Sequence, residues 1–152
     1  EESEIVGRSP GLDHNSFLLS DLHADDFKLS FDVKLVDNVG NTGVQFRSQS
    51  LQGYKEVQGY QADAGPGWWG KLYEENGREL VWDKSGEELV KPGDWNHYEI
   101  RAEGSHVQTW INGQPCVDLY DPKGRRRGLF GLQIHSGSAL EVRFRNLQLE
   151  VE

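Results

Sequence analysis

Five side chains, spread over three strand-like segments, have the types and spacing to do chemistry: Arg47, Glu56, Gln58, Gln133 and His135. In residues 42–48 (TGVQFRS), Val44 and Phe46 share a face by the two-residue period of a strand, which leaves Gln45 and Arg47 on the other. In residues 128–135 (GLFGLQIH), Phe130, Leu132 and Ile134 turn inward and Gln133 and His135 share the polar side. Residues 54–63 (YKEVQGYQAD) supply Glu56 and Gln58. A guanidinium, a carboxylate, two amides and an imidazole are not the usual covering of a solvated strand, where Lys, Thr and Ser are commoner. On neighbouring strands they line a polar groove that suits a ligand rich in hydroxyls.

Each of these residues has a plainer reading beside the functional one. Glu56 is a general base or an ordinary strand carboxylate. Asp63, beside residues 64–67 (AGPG), is a second titratable group of the groove or a turn cap. Arg47 grips a ligand oxygen with its planar fork or pairs with Glu56 across the sheet. Tyr73 is a donor to a hydroxyl. Trp68 and Trp69 offer a flat surface for sugar C–H groups, with one of the two expected in the core and Trp69 assigned to the ligand. His14, His23, His97, His106 and His135 show no HxH or HxxxH spacing, so no metal site is read and a divalent cation is left open. There is no GxSxG elbow and no phosphate-binding glycine loop.

The elements that position these groups read as strands and turns. Residues 26–36 (DFKLSFDVKLV) alternate cleanly, with Phe27, Leu29, Phe31, Val33 and Leu35 inward. Residues 70–74 and 79–83 form a hairpin through Asn76 and Gly77, and a second tight turn falls at Asn112 and Gly113. Leu140, Val142 and Phe144 occupy even positions but Leu147, Leu149 and Val151 odd ones, which predicts a bulge at Arg145 or Asn146 with Phe144 and Leu147 both inward. No helix longer than a turn is expected. The fold class is all-β, a jelly-roll sandwich of two antiparallel sheets and about ten to twelve strands.

Composition bounds the rest. A chain of 152 residues makes about one domain, assigned to 1–152. Sixteen Lys and Arg against 25 Asp and Glu give a net charge of −9, which repels nucleic acid and anionic membranes. The basic run at residues 123–127 reads as a solvated hairpin tip. The single cysteine, Cys116, excludes an intramolecular disulfide and reads as a small buried hydrophobe. No apolar run is long enough to span a membrane.

Several blocks then occur in order: Asn-x-Gly-x-x-Phe-Arg-Ser at 41–48, Gly-Tyr-x-Glu-x-Gln at 53–58, Gly-x-Leu-Tyr at 70–73, Asp-Trp-Asn-x-Tyr-x-Ile at 94–100, Asn112-Gly113, Gly-Leu-Gln-x-His at 131–135 and Phe-Arg-Asn-Leu at 144–147. In this order the chain resembles the 3-keto-disaccharide hydrolase domain family, within the concanavalin-like lectins and glucanases, from about Ser16 onward. Against that family's pattern an N-terminal strand is expected to be missing, and Lys55 stands between Gly-Tyr and Glu56 where the family's glutamate follows directly. The resemblance implies cleavage of glycosides oxidised at C3. A base (Glu56 or His135) removes the acidified C2 proton, a donor (His135 or Tyr73) protonates the leaving oxygen, and Arg47, Gln58 or a bound cation holds the enolate. Asp63, Gln133 and Trp69 complete the substrate set. The alternative is a non-catalytic carbohydrate-binding module of a longer polypeptide, with other domains as partners. The resemblance leans towards a bacterial periplasmic or extracellular protein.

Overall fold

The computed structural model describes residues 3–51 and 56–152. They form an all-β sandwich of two six-stranded antiparallel sheets. In chain order the strands are β1 (Glu4–Ser9), β2 (Ser16–Ala24), β3 (Phe27–Leu35), β4 (Thr42–Leu51), β5 (Glu56–Ala64) and β6 (Leu72–Glu75). After these come β7 (Glu79–Trp82), β8 (Trp95–Glu103), β9 (His106–Ile111), β10 (Gln114–Tyr120), β11 (Gly128–Ile134) and β12 (Leu140–Val151). The first sheet runs β1-β12-β3-β8-β9-β10 and the second β2-β11-β4-β5-β6-β7. Residues 53–55 of the Gly-Tyr-x-Glu block lie outside the described residues. Among the described residues no helix is long and apolar enough to cross a membrane.

Strict alternation builds the core. Every odd residue of β3 from Phe27 to Leu35 is buried and every even one is half-exposed, as the apolar period of that segment requires. Phe31 stacks on Tyr98 at 5.4 Å and Phe46 on Tyr60 at 5.1 Å, tying the central strands of each sheet to their neighbours. Cys116 packs against this core, and burial pushes its thiol up to about 11, which leaves it protonated and unreactive at neutral pH.

Two irregularities decide where side chains point. In β12 the register with β3 slips between Arg145 and Gln148, and Asn146 takes φ 55°, so the parity break is a bulge as expected. Phe144 is buried, but Leu147 is 40% exposed, correcting the inward placement. It lies within the bulge itself, so the ladder does not turn it inward. In β4 the register with β5 slips between Phe46 and Gln49, with Arg47 at φ 48°. Nothing in the apolar pattern of residues 42–48 marks this second bulge.

The turns divide in the same way. Asn112 and Gly113 have φ 50° and 79° and join β9 directly to β10, the two-residue turn that an Asn-Gly pair favours. The β6–β7 connection is instead a three-residue loop, residues 76–78. Asn76 takes φ 51°, and the Glu74 carboxylate captures the Arg78 amide at 2.9 Å and its guanidinium, holding the loop open by one residue.

Candidate functional site

The outward face of the second sheet carries a hollow of about 280 Å³ at the end where β4 begins and β11 ends. Gln61 and Asp63 reach it from β5, Tyr73 and Glu75 from β6, and Gln133 with His135 from the end of β11. Asn15, Asn41 and Trp68 close it from the connecting loops. Alternation explains the grouping, since Tyr60, Ala62, Ala64 and Leu72 on the intervening positions are in the core. Cross-strand register explains the contacts, since Gln61 lies opposite Gln45 on one side and Tyr73 on the other.

Beneath the hollow runs a buried chain of amides. The Ser48 hydroxyl lies 2.6 Å from Gln45 Oε1, Gln45 Nε2 donates to Gln61 Oε1 at 2.9 Å, and Gln61 Nε2 donates at 2.8 Å to both Asp63 Oδ1 and Gln133 Oε1. Gln45, Ser48, Gln61 and Gln133 are all buried. Their packing depends on Gly43. A Cβ there would stand 2.7 Å from Gln61 Cγ and 2.8 Å from its Nε2, so the bare backbone of β4 is the space that Gln61 occupies. At the end of the chain Gln133 Nε2 is buried with no partner in the protein. An orphaned buried donor costs about 1–3 kcal/mol, so its retention beside a hollow calls for an explanation.

Burial dominates the electrostatics. It pushes the Asp63 carboxyl up to about 7, helped by Glu75 and opposed by the Gln61 hydrogen bond and Lys71. Burial also raises Glu75, with Glu56 adding to the rise while His135 and Asn15 oppose it, and it raises Tyr73 ahead of the fields of Glu79, Glu75 and Asp63. His135 Nδ1 donates to the Ser136 carbonyl at 2.7 Å, which fixes the ring and leaves Nε2 for proton exchange or hydrogen bonding. Trp68, 38% exposed, meets Tyr73 edge-on at 6.2 Å, and together they form an aromatic wall. No group of three or more His, Cys, Asp or Glu able to hold a metal ion is found among the described residues.

The structure therefore brings Asp63, Tyr73, Gln133 and His135 together, and separates the other four expected residues from them. Arg47 is 1% exposed and points away from the hollow. Its guanidinium donates to the carbonyls of Asp25 (2.7 Å), Gly104 (2.6 Å) and Arg125 (3.4 Å) and meets Asp26 at 3.1 Å. The β4 bulge rotates it off the alternation that put it beside Gln45, so neither the ligand grip nor the pair with Glu56 is formed. Arg125 of the basic run returns a bond to Arg47 O at 3.0 Å, so that run is a clasp as well as a solvated tip. Gln58 is used up by Gln49 (2.6 Å) and the Asn76 carbonyl (3.0 Å). Glu56 is exposed at the start of β5 opposite Leu51, outside the described lining, and touches the site only through its field at Glu75. Trp69 is 1% exposed and bonds Asn38 Oδ1 at 3.1 Å, so it is the core member of the pair and Trp68 is the one that lines the hollow.

Gln61, Glu75, Asn41 and Asn15, with Trp68 in place of Trp69, were missing from the expected set. Glu75 shares the parity of Tyr73 and is legible by that rule, and Asn41 opens the first block. Asn15 carries no sequence signal, because a loop sets its position by bonding the Ser136 amide at 2.8 Å.

A model of the 3-keto-alpha-glucoside-1,2-lyase-like domain matches residues 1–150. The chain belongs to this family. A levanase from Bacillus sp. (strain L7) is 31% identical over 137 residues, which make up 89% of this chain and 14% of that protein. The chain thus spans about one seventh of the curated relative it matches. Among solved structures the lyase-like domain is similar to the carbohydrate binding module CBM66 from Bacillus subtilis, with TM-score 0.67, 20% identity and coverage of 99% and 92% of the two chains. A putative glycosyl hydrolase from Parabacteroides distasonis gives TM-score 0.72 at 16% identity over 98% and 80%. At these identities the solved structures establish the sandwich fold, and the family rests on the sequence match.

Proposed function

We propose that the hollow binds the terminal residue of a neutral carbohydrate and that this domain is a carbohydrate-recognition unit. The observation that carries the reading is the buried, unpartnered Nε2 of Gln133, a residue lining a cavity whose other described groups are amides, carboxylates, an imidazole and two aromatic rings, with no Lys or Arg among them. Such a wall offers paired donors and acceptors to vicinal hydroxyls and a flat apolar surface to the sugar ring. It repels uronates and phosphosugars. At about 280 Å³ the space is at the lower edge of ligand cavities and fits one sugar ring rather than a chain segment. The levanase relative and the fold of the carbohydrate binding module support the same reading, and the levanase points to fructan as the first probe. Calorimetric titration with levan oligosaccharides, other neutral oligosaccharides and a uronate oligomer tests it. Saturable binding of a neutral sugar, lost in Asp63→Ala and Gln133→Ala, is the expected result; binding of the uronate alone, or of no sugar, overturns it.

A second reading is cleavage of a 3-keto-glycoside, favoured by Asp63, whose carboxyl at about 7 suits a base working near neutral pH. Asp63 takes the C2 proton, the electron pair passes to the C3 oxygen beside Gln133 Nε2, and the C1–O bond then breaks with a proton supplied to the leaving oxygen by His135 or Tyr73. Water adds to the resulting alkene at C1. Here Asp63 takes the place expected of Glu56. Release of the aglycone from a 3-keto-glucoside but not from the glucoside, abolished in Asp63→Asn, supports cleavage; no release from either limits the domain to binding.

A further inference from the structure

We propose that Ser48, Gln45, Gln61 and Gln133 form a hydrogen-bond relay of reversible polarity, set by the proton on Asp63, which decides whether the sugar site offers a donor or an acceptor at Gln133. The proposal rests on the carbohydrate-binding reading for its ligand and on geometry for its switch.

An amide presents an oxygen on one side and a nitrogen on the other, and rotation by about 180° about its last side-chain bond exchanges them with hardly any change in shape. With Asp63 ionised one polarity is required. Asp63 Oδ1 accepts from Gln61 Nε2 at 2.8 Å, so Gln61 Oε1 faces Gln45 and accepts from its Nε2 at 2.9 Å, and Gln45 Oε1 faces the Ser48 hydroxyl at 2.6 Å. Gln61 Nε2 also donates to Gln133 Oε1, which leaves Nε2 of Gln133, a residue of the cavity wall, buried and without a partner.

With Asp63 protonated, every link runs the other way on the same heavy-atom positions. The Asp63 hydroxyl donates to Gln61 Oε1, which also accepts from Gln133 Nε2; Gln61 Nε2 donates to Gln45 Oε1; Gln45 Nε2 donates to Ser48 Oγ. The displaced Ser48 proton has its acceptor already in place, the Phe46 carbonyl at 3.0 Å. Gln133 then shows its oxygen to the cavity. A single proton moves on or off Asp63, and no covalent bond other than its O–H changes.

The groups facing Asp63 are few. Glu75 and Tyr73 reach the hollow from β6, His135 from the end of β11 and Lys71 from the turn before β6, while Gly43 of β4 opposes it with no charge and Tyr98 of the other sheet touches its backbone carbonyl alone at 3.3 Å. Burial raises this carboxyl towards neutrality, which places the switch in an accessible range.

The test follows the side-chain amide resonances of Gln45 and Gln61 and the Asp63 carboxyl carbon by NMR from about pH 5 to 9, with levan-oligosaccharide affinity measured over the same range. Gln45 does not touch Asp63, so its amide should titrate with the Asp63 midpoint only if the relay reverses. Affinity should fall about tenfold or more below that midpoint, where the carboxylate acceptor and the Gln133 donor are both withdrawn. Asp63→Asn should abolish the common titration, and Gln45→Met should leave Gln61 titrating with Asp63 while Ser48 no longer responds. A Gln45 amide that stays fixed while Asp63 titrates overturns the relay whether or not sugar binds. Amides that titrate together in a protein that binds no sugar uphold the relay and remove the carbohydrate reading instead.

Discussion

The two outward faces of the sandwich obey the same alternation rule and satisfy their polar groups by opposite means. On the first sheet, long charged side chains pair with one another in reach of water. His97 sits between Asp32 (2.8 Å) and Glu99 (3.2 Å), Arg145 meets Asp32 at 3.3 Å and lies over the Trp95 ring, and Arg143 joins Glu141 to Glu4. Such pairs are close to neutral in free energy, because solvent offers each partner nearly as good an alternative. On the second sheet Gln45, Ser48, Gln61, Asp63 and Gln133 are buried and bound to one another in a chain. Among the buried side chains of the described residues one donor is left over, at Gln133. A binding site on a strand face is thus recognised less by how polar it is than by how much hydrogen-bonding capacity its own protein leaves unused.

The largest effect that tests this contrast is at Asp63. Its folded pKa lies above the ordinary carboxylate value of 3.8, so the folded protein holds the proton more tightly, and this group's contribution to stability is greatest below about pH 4 and falls as pH rises to about 7. Asp63→Asn should therefore match the parent in stability near pH 4 and exceed it by up to roughly 4 kcal/mol above pH 7, while sugar binding is lost. Urea denaturation at the two pH values reads the first and calorimetry the second; a variant less stable than the parent at alkaline pH would remove the idea that burial of this charge is a cost carried for function.

A smaller effect is expected at the aromatic wall. Trp68→Ala should weaken sugar binding about five- to tenfold with little change in melting temperature, whereas a parental affinity would take Trp68 out of the site. The smallest lies on the opposite face. Burial lowers the His97 pKa, but the bonds to Asp32 and Glu99 outweigh it, and the net shift is upward. Its stabilisation is present below the ordinary histidine value and is lost as pH rises past the folded one. The ring is partly exposed, so His97→Gln should cost no more than about 1 kcal/mol at about pH 5.5 and nothing at about pH 9, with sugar affinity untouched. A large loss at both pH values would make this face as tightly organised as the other.

The same physics decides how much of the molecule is legible in its sequence. Strands with one buried face announce themselves through apolar alternation, which is why β3 and the bulge in β12 were legible. Gln133 and His135 were legible for the same reason, since they alternate with Leu132 and Ile134 beyond the register slip between Leu129 and Gly131. Arg47 was not, because a bulge that falls inside a well-patterned strand leaves the apolar spacing before it intact and rotates the residues after it. Between Trp68 and Trp69 the sequence reading chose the wrong one, since neighbours in a turn are oriented by the Gly65 and Gly67 backbone rather than by strand period. The amide relay was half visible. Gln45 shares a strand face with no apolar residue, but its partner across the sheet is fixed by register, which only the folded chain supplies.

The vacancy at Gly43 has a consequence for reading other chains of the family. A Cβ at position 43 would stand 2.8 Å from the Ala62 carbonyl oxygen as well as against the Gln61 side chain, so glycine is held there by the β5 backbone and by the amide together. A relative that keeps glycine at position 43 and glutamine at position 61 can build this hollow; one that carries a side chain at position 43 must have shifted the β5 backbone as well as the amide, and its ligand, if it has one, is held by different means. Two columns of an alignment would then sort members that share this specificity from members that share only the sandwich.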